Sequence, residues 1–304
     1  MAVNVKSGAG ANYLQTKLYK DLLENFEPNL YFYEMGEKPM VEDGIGTVSW
    51  AKPSKLTVTS TTATLTEGVT PNSTAFSYTV ITSTPTQYGI FVEISDRLLK
   101  AAPTKILTNA GKEVGSNMAR IIDQVIQTEI MAGSNVMYAG SGNNARADLA
   151  ATDYLVGANL RNAHTKLQSV DAPKIGGYYV AVAHPFVIGD LQAESNGAWI
   201  EFSKYTTPDK LFKGEIGALY GVRIVSCSNV QTFTSTATVY PTLVMGKGAY
   251  GVSEWNSLQT IYKPLGAGAD PLNQVASVGA KIDFSAKRLQ EDAMVRIESA
   301  ATSV

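Results

Sequence analysis

The sequence predicts an α+β fold organised around one long helix, and three patterns lead to that prediction. Apolar residues recur at helical spacing between about residues 103 and 132. A threonine- and serine-rich stretch, residues 56–92, alternates with the period of two that is typical of strands. Near the C-terminus, residues 278–284 and 294–298 also alternate apolar and polar side chains, which predicts strands with one wet face that flank the helix.

The long helix is predicted to begin near Pro103 and to end before Gly133. About 30 residues at ~1.5 Å each give a rod of roughly 45 Å, which usually supports a sheet or a neighbouring subunit. Gly111 and Gly115 are expected to pack closely within their own domain. The apolar stripe consists of Leu107, Ala110, Val114, Met118, Ile121 and Val125, widened by Ile106, Ile122, Ile126 and Ile130.

Residues 1–11 are small and polar with two glycines, which predicts a flexible arm at the start of the chain. Residues 13–26 can form a short amphipathic helix, residues 42–46 form a turn, and residues 47–51 alternate like a strand around Trp50. An aromatic cluster lies between them, formed by Tyr31, Phe32 and Tyr33. Such a cluster either contacts another molecule or packs on the domain that follows, and the sequence leaves both interpretations open.

A long β-hairpin is predicted after the arm. Its alternating apolar side chains are Ala63 and Leu65 on one side and Phe76, Tyr78 and Val80 on the other. The turn between them contains Glu67, Val69 and Pro71. Because an isolated polar hairpin is marginally stable in water, we expect it to lie on the main body or to be held by another molecule. Residues 88–94 predict a buried strand, and Ser95 with Asp96 predicts a cap before the next helical turn.

Residues 153–250 predict a compact α/β segment. Its elements are a helix at 158–167, a buried strand at 178–183, a short helix after Pro185, a loop at 194–213, a glycine-punctuated turn at 214–221, and strands at 222–225 and 239–245.

Composition argues against several classes of protein. A formal charge of −2 with 17% charged residues does not fit a dedicated nucleic-acid binder. The single cysteine, Cys227, excludes an internal disulfide and a cysteine zinc cluster, and its apolar surroundings predict a buried thiol. The first ten residues lack the apolar core of a signal peptide, and no apolar run reaches the ~20 residues that span a bilayer. We therefore expect a soluble protein made in a reducing cytoplasm.

The candidate catalytic residues are weak. The sequence contains no phosphate loop, no nucleophile elbow and no dinucleotide fingerprint. His164 is expected to be solvated on a polar helix face, and His184 to cap the following helix rather than to act as a base with Asp190. Glu291 and Asp292 predict an acidic turn. A basic edge along the long helix is better explained as a solvated face, and its members are Arg97, Lys100, Lys105, Lys112 and Arg120. We predict no catalytic, cofactor-binding or metal-binding residue.

The order of these parts resembles that of the major capsid proteins of tailed bacteriophages, which have the Hong Kong phage type of fold. Residues 270–274, 278–281 and 294–299 resemble the C-terminal run of the capsid subfamily typified by coliphage N-four. His184-Pro185 with Asp190-Leu191, and residues 214–217 before 221–225, resemble the axial domain of the same proteins.

The resemblance implies a division into named parts. These are an N-terminal arm at 1–50, an extended β-hairpin loop at 51–90, a peripheral domain at 91–152 and 263–304 that contains the long helix, and an axial domain at 153–262. It also implies a non-enzymatic protein that self-assembles through hexamers and pentamers into an icosahedral shell around double-stranded DNA. No cofactor, no sequence-specific DNA contact and no membrane are implied. Assembly in the host cytoplasm and presence in the virion capsid are implied, with portal, decoration or separate scaffold proteins as partners.

Contacts between subunits are expected in the arm and the hairpin, at Tyr31, Phe32, Tyr33, Trp50, Glu67, Val69, Pro71, Phe76 and Tyr78. Some relatives cross-link a lysine to an asparagine between subunits. Lys52 and Lys55 lie near the loop base, but the sequence does not place the carboxylate that such a cross-link needs, and we predict none. Alternative interpretations are an encapsulin-like nanocompartment shell of the same fold, a threonine-rich surface adhesin, and an enzyme that uses His184 and Asp190.

Overall fold

The computed structural model describes residues 31–39, 46–56, 63–69, 73–101, 106–194, 215–267 and 270–302. The helices are α1 (Tyr31–Met35), α2 (Asp96–Ala101), α3 (Ile106–Met131), α4 (Gly157–Ser169) and α5 (Pro185–Ala193). The strands are β1 (Val48–Pro53), β2 (Tyr78–Ser83), β3 (Thr86–Ser95), β4 (Val136–Tyr138), β5 (Tyr179–Ala183), β6 (Glu215–Leu219), β7 (Val222–Ser226), β8 (Phe233–Thr234), β9 (Thr238–Met245), β10 (Tyr250–Lys263), β11 (Val275–Arg288) and β12 (Met294–Ser299). The predicted helix at 13–26, and almost all of the turn at 42–46 and the loop at 194–213, lie outside the described residues.

Helix α3, the spine helix, has 26 residues and lies within the range predicted from the sequence. The centre of its buried face differs from the prediction. Val114, Met118, Ile122, Ile126 and Ile130 are each at most 2% exposed, whereas Ile121 and Val125 are only partly buried. Residues four apart lie nearly above one another on a helix, so this series forms the centre of the buried face. Ile122, Ile126 and Ile130, which the sequence analysis placed at the margin of the apolar stripe, therefore lie at its centre.

The spine helix packs against a three-stranded antiparallel sheet in the order β10-β11-β3. Alternate residues of β11, including Ala280, Ile282 and Phe284, share one core with the spine helix. Strand β10 is not predicted by the sequence, because its apolar residues do not alternate regularly and its pairing with β11 shifts register between Glu254 and Gln259. The prediction of a buried strand at 88–94 is wrong in its burial: β3 is an edge strand of which only Ile94 is buried.

A second, seven-stranded sheet has the order β4-β12-β9-β5-β7-β6, with β8 paired to β9. Its two faces belong to different cores. Val180, Val182 and Leu243 face the core shared with the spine helix, while alternate residues such as Ala181 and Val244 pack with apolar residues of α4 and α5. The sheet is therefore a middle layer with helices on both faces, as for buried sheets in general.

Strand β12 lies in this large sheet rather than beside the spine helix. It pairs with β9 in antiparallel and with β4 in parallel orientation. Met294 faces one core, and Val295 and Ile297 face the other. The sequence-based expectation of one wet face is thus wrong for residues 294–298, because both faces of the large sheet pack against a hydrophobic core.

The hairpin forms, but with strands other than the predicted arms. Strand β1 pairs with β2 in antiparallel register from Val48 opposite Ser83 to Pro53 opposite Tyr78. Ala63 and Leu65 lie outside any strand, and Gly68 forms a turn with φ +76°. The first strand of the hairpin is therefore β1, which starts within the residues assigned to the arm. The prediction missed this because period-two alternation indicates a strand without specifying its partner or its register.

A tight turn joins β6 to β7. The sequence predicts a turn across residues 214–221, but residues 215–219 form strand β6, and only Tyr220 and Gly221 turn the chain, with φ of +50° and +79°. Two successive residues with positive φ give a turn that matches the twist of paired strands. Strand β5 and helices α4 and α5 lie where they were predicted.

Changing Gly221 to alanine is expected to destabilise the subunit by about 1–2 kcal/mol. A Cβ atom there would lie 2.8 Å from Nε2 of His164, in a backbone conformation that alanine disfavours. The matched control is Gly189→Ala in helix α5, where a Cβ meets nothing within 4 Å; it is expected to be neutral or to stabilise by up to ~1 kcal/mol. Urea unfolding of the two variants measures the difference, and equal stability of both would contradict the strain argument.

Candidate assembly surfaces

The weak catalytic candidates occupy structural positions. His184 is the N-cap of α5, where its Nδ1 accepts a hydrogen bond of 3.2 Å from the Phe186 backbone N–H, as predicted. The Oδ2 atom of Asp190 accepts a hydrogen bond of 2.8 Å from the Thr302 backbone N–H instead of orienting His184. Burial lowers the pKa of His184. Across the described ranges, no cluster of three or more histidine, cysteine, aspartate or glutamate side chains is placed to hold a metal ion.

The remaining candidates are also accounted for by packing. The prediction for His164 is wrong: the ring is half-buried, lies 5.4 Å from the Tyr179 ring, and has its pKa lowered by burial and by the nearby Lys174. Cys227 is buried, as predicted, and burial raises the pKa of its thiol to about 11. Glu291 lies in a short acidic turn and accepts hydrogen bonds from the backbone after the spine helix.

The long helices give no sign of a membrane span: none in the described part of the chain combines the required length and apolar character. The basic side chains along α2 and the spine helix fit the solvated face predicted for them. Arg97, Lys112 and Arg120 are exposed, and Lys100 forms an exposed ion pair of 3.4 Å with Asp96. Lys105 lies outside the described residues.

The aromatic cluster of the arm folds back onto its own subunit. Phe32 is completely buried in the core, and Tyr33 donates a hydrogen bond to Glu254 and lies 6.4 Å from the Phe284 ring. Only Tyr31 is substantially exposed, at 38%. Of the two interpretations left open by the sequence, packing on the domain therefore describes Phe32 and Tyr33, and Phe32 offers no free surface.

Trp50 is also held by its own chain. Its indole lies so close to Gly251 that a Cβ on that glycine would be 2.7 Å from the ring. Glycine at 251 thus lets β1 approach β10 closely. Glu67 and Val69, by contrast, are exposed near the tip of the hairpin, and Pro71 lies outside the described residues.

One face of the hairpin carries an exposed apolar stripe. Phe76, Tyr78 and Val80, the hairpin stripe, alternate along the chain and are 55–62% exposed. The rings of Phe76 and Tyr78 meet edge to face with centroids 4.8 Å apart. Tyr78 is opposite Pro53, and Val80 is opposite Ala51, so the partner strand adds apolar surface to the same face. Three large apolar side chains in one exposed row are typical of an interaction surface.

A groove lies on the face of the three-stranded sheet that points away from the spine helix. Its walls are Phe91 on β3 and Ile261 on β10, and its floor is Gly279, which is paired with both. Phe91 is 66% exposed, and the groove encloses about 690 Å³. Charged side chains line it as well: Glu93, Lys263 and Lys281. We call the groove formed by these residues the sheet groove. The sequence analysis missed it, although an aromatic residue on the exposed face of a strand was a usable signal.

Comparison with known proteins gives a consistent result. A model of the phage capsid protein family matches residues 78–297, well over half of the chain. A comparison with curated protein sequences found no match.

Among solved structures, the chain is similar to the capsid of Ralstonia phage GP4, with a TM-score of 0.70 and 15% identity over 89% of this chain and 91% of that chain. It is similar to the capsid of cyanophage P-SCSP1u, with a TM-score of 0.67 and 15% identity over 90% and 89% of the two chains. For the capsid of cyanophage Pam1, the TM-score is 0.68, with 13% identity over 85% and 86%. At such low identities, the likeness is one of fold.

Proposed function

The chain belongs to the phage capsid protein family, and from this premise we propose that its copies form hexamers and pentamers that close into the icosahedral shell of a tailed bacteriophage. The family match carries this proposal. It confirms the resemblance read from the sequence, and the structural neighbours confirm the fold class. The protein is a structural shell protein, and the nanocompartment alternative is not favoured because the matching model is that of phage capsids.

We propose that the hairpin stripe of one copy binds a different patch on the next copy. Contacts of this kind, in which unlike patches meet, generate closed rings. The sheet groove supports the proposal as the receiving patch, because Phe91 and Ile261 present apolar walls that Phe76 and Tyr78 could contact. Glu67 and Val69 near the hairpin tip remain proposed contacts, as does Tyr31. Phe32 and Trp50 are left out because they pack inside their own subunit.

The four named parts are proposed with boundaries adjusted to the strand pairing. The spine helix, β3, β10 and β11 form one packed unit, so we assign β10 to the peripheral domain although its residues fall in the range 153–262. Strand β12 is assigned to the axial domain because it lies within the seven-stranded sheet. The arm and the hairpin loop keep their names, with the hairpin starting at β1.

The proposed cargo is double-stranded DNA held without sequence-specific contacts. The formal charge of −2 supports this, because a strongly basic inner wall would bind phosphates and hinder packing and release. Portal, decoration or scaffold proteins are proposed partners, the host cytoplasm is the proposed place of assembly, and no catalytic step is proposed.

Electron microscopy of the purified protein tests the proposal. Negative-stain images are expected to contain closed shells of uniform diameter, and light scattering is expected to give the mass of hundreds of copies rather than of one 32.5 kDa chain. The experiment is done with the protein alone and again after co-expression with a scaffold protein from the same genome, because assembly of some shells requires a scaffold. A monomer under both conditions would contradict the proposal, and shells filled with a cargo protein would favour the nanocompartment.

A further inference from the structure

The arm is seated on the subunit through residues 31–37, the arm segment. It contacts two other elements, the spine helix and β10. Phe32 in α1 is buried in the core beside the spine helix. Glu37 pairs with β10 through two backbone hydrogen bonds, from its N–H to the Tyr250 carbonyl at 3.0 Å and from the Val252 N–H to its carbonyl at 2.9 Å. The arm segment therefore bridges the spine helix and the edge of the three-stranded sheet.

A buried carboxyl group lies directly under this segment. Asp123 on the spine helix is 0% exposed, and its Oδ1 accepts a hydrogen bond of 3.4 Å from the Phe32 backbone N–H. The hydroxyl of Tyr250 donates to the Phe32 carbonyl, so both backbone groups of Phe32 are held. Asn229 and Gln127 lie close enough to favour the charged carboxylate, but Oδ2 makes no hydrogen bond of ordinary geometry within the described structure.

We propose that seating of the arm segment is linked to a proton on Asp123, so that the segment is held most firmly when this carboxyl is neutral and loosens when it ionises. The physical reason is the cost of an incompletely hydrogen-bonded charge away from water. Phe32 and the rest of α1 lie over Asp123, so release of the segment would readmit water to the carboxylate. The inference depends on the fold of the subunit and not on the shell proposed above.

The pKa of Asp123 gives the direction and the pH range. Burial, the largest cause, raises it from 3.8 to about 6, against an opposing effect of the Phe32 hydrogen bond. A carboxyl whose pKa is raised by seating favours the seated state below its ordinary pKa, and that advantage is lost as pH rises to about 6. A shift of about two pKa units corresponds to a change of up to about 100-fold in the seating equilibrium.

The other ionisable groups around the segment do not share these properties. Burial raises the pKa of Cys227 to about 11 and raises the pKa of Tyr250 well above its ordinary value, so both stay neutral through this range. Burial and the hydrogen bond to Glu254 raise the pKa of Tyr33. The remaining charged groups on or beside the arm segment are partly or fully exposed: Glu34, Glu37, Lys38 and Glu254.

Amide hydrogen exchange of the full-length chain tests the inference. The Phe32 and Glu37 amides, whose hydrogen bonds report seating, are followed between about pH 3 and 8 after correction for intrinsic exchange. Protection in the wild type is expected to fall between about pH 4 and 6 and to level off above that range, with a total loss of up to about 100-fold. Protection that does not change with pH, or that is lost only well above pH 6, would overturn the proposal without any variant.

Three variants separate the proton from general loosening. Asp123→Asn keeps an acceptor for the Phe32 N–H without the charge, and it is expected to retain protection at pH 8. Asp292→Asn neutralises an exposed carboxylate elsewhere and should follow the wild type. Tyr250→Phe removes the hydroxyl bonded to Phe32, and should reduce protection at both ends of the pH range without changing their ratio. If Asp123→Asn lost protection with pH as the wild type does, the assignment to Asp123 would be wrong.

Discussion

Replacing the hairpin stripe with serine, as Phe76→Ser, Tyr78→Ser and Val80→Ser together, is expected to abolish shell formation while the subunit stays folded. All three side chains are more than half exposed in the subunit, so their loss should change folding stability little, within about 0.5 kcal/mol per site. If they are buried between copies, each is worth roughly 1.5–3 kcal/mol there. A closed shell repeats the contact at every subunit, so the lost binding free energy is multiplied by the number of contacts in the shell.

The control uses the opposite face of the same hairpin. Lys52 and Thr79 are exposed and directly paired, but they point away from the stripe. Lys52→Ser with Thr79→Ser should therefore assemble like the wild type. Sedimentation velocity measures the assembled fraction, and circular dichroism checks the fold. Normal assembly of the stripe variant would contradict the proposed contact. Equal loss of assembly in both variants would show that assembly depends on the hairpin as a whole and not on the stripe in particular.

The groove can be tested as the other half of this contact. Phe91→Ser removes one exposed wall, and it should weaken assembly as strongly as a single change in the stripe. Loss of assembly in the stripe variant without any loss in Phe91→Ser would place the receiving patch elsewhere on the subunit.

The elements that the sequence predicted well are those whose signal is local. The spine helix repeats its apolar residues over 26 positions, and β5 is five consecutive buried residues. The helix follows from the 3.6-residue period of the backbone, and a short continuous apolar run is typical of a strand that is buried on both faces. The hairpin shows the limit of this reasoning: its alternation was visible, but its register was not, because Val48 pairs with a residue 35 positions away in sequence, Ser83.

The assembly surfaces were predictable to the extent that exposure follows from alternation. Phe76 and Tyr78 were assigned to contacts between subunits from the sequence, and the structure places both side chains in the exposed stripe. Phe32 has the same chemistry but is buried, because the arm returns to the spine helix. Its position depends on Asp123 and Tyr250, which are 91 and 218 residues away in sequence.

Buried charges were invisible to the sequence analysis for the same reason. Asp123 lies on a helix and Glu298 on a strand, and an exposed acid is the normal expectation for such residues. Only the tertiary structure shows that both are fully buried. Their partners come from distant segments: the Phe32 backbone for Asp123, and Arg146 for Glu298.

Glu298 leads to the second large expected effect, in which Glu298→Gln destabilises the subunit by about 3–5 kcal/mol. The carboxylate of Glu298 is 0% exposed and accepts two hydrogen bonds from the Arg146 guanidinium, from Nη2 at 2.6 Å and from Nε at 2.7 Å. Arg296 forms a second ion pair with it at 2.8 Å. The Arg146 guanidinium also stacks on the Phe233 ring at 3.6 Å. Glutamine keeps the shape but leaves two positive charges, one of them nearly buried, without their counter-charge.

The exposed ion pair between Lys100 and Asp96 provides the matched control for this loss of charge. Lys100→Gln breaks a contact of 3.4 Å between side chains that are 56% and 25% exposed, and water screening should limit its effect to about 0.5 kcal/mol or less. Thermal unfolding of unassembled subunits should therefore separate the two, with a decrease of roughly 6–12 °C for Glu298→Gln. Because Glu298 ties the loop that carries Arg146 to β12 in the large sheet, a decrease no greater than that of Lys100→Gln would mean that Phe233 stacking and backbone pairing hold this loop without the charge.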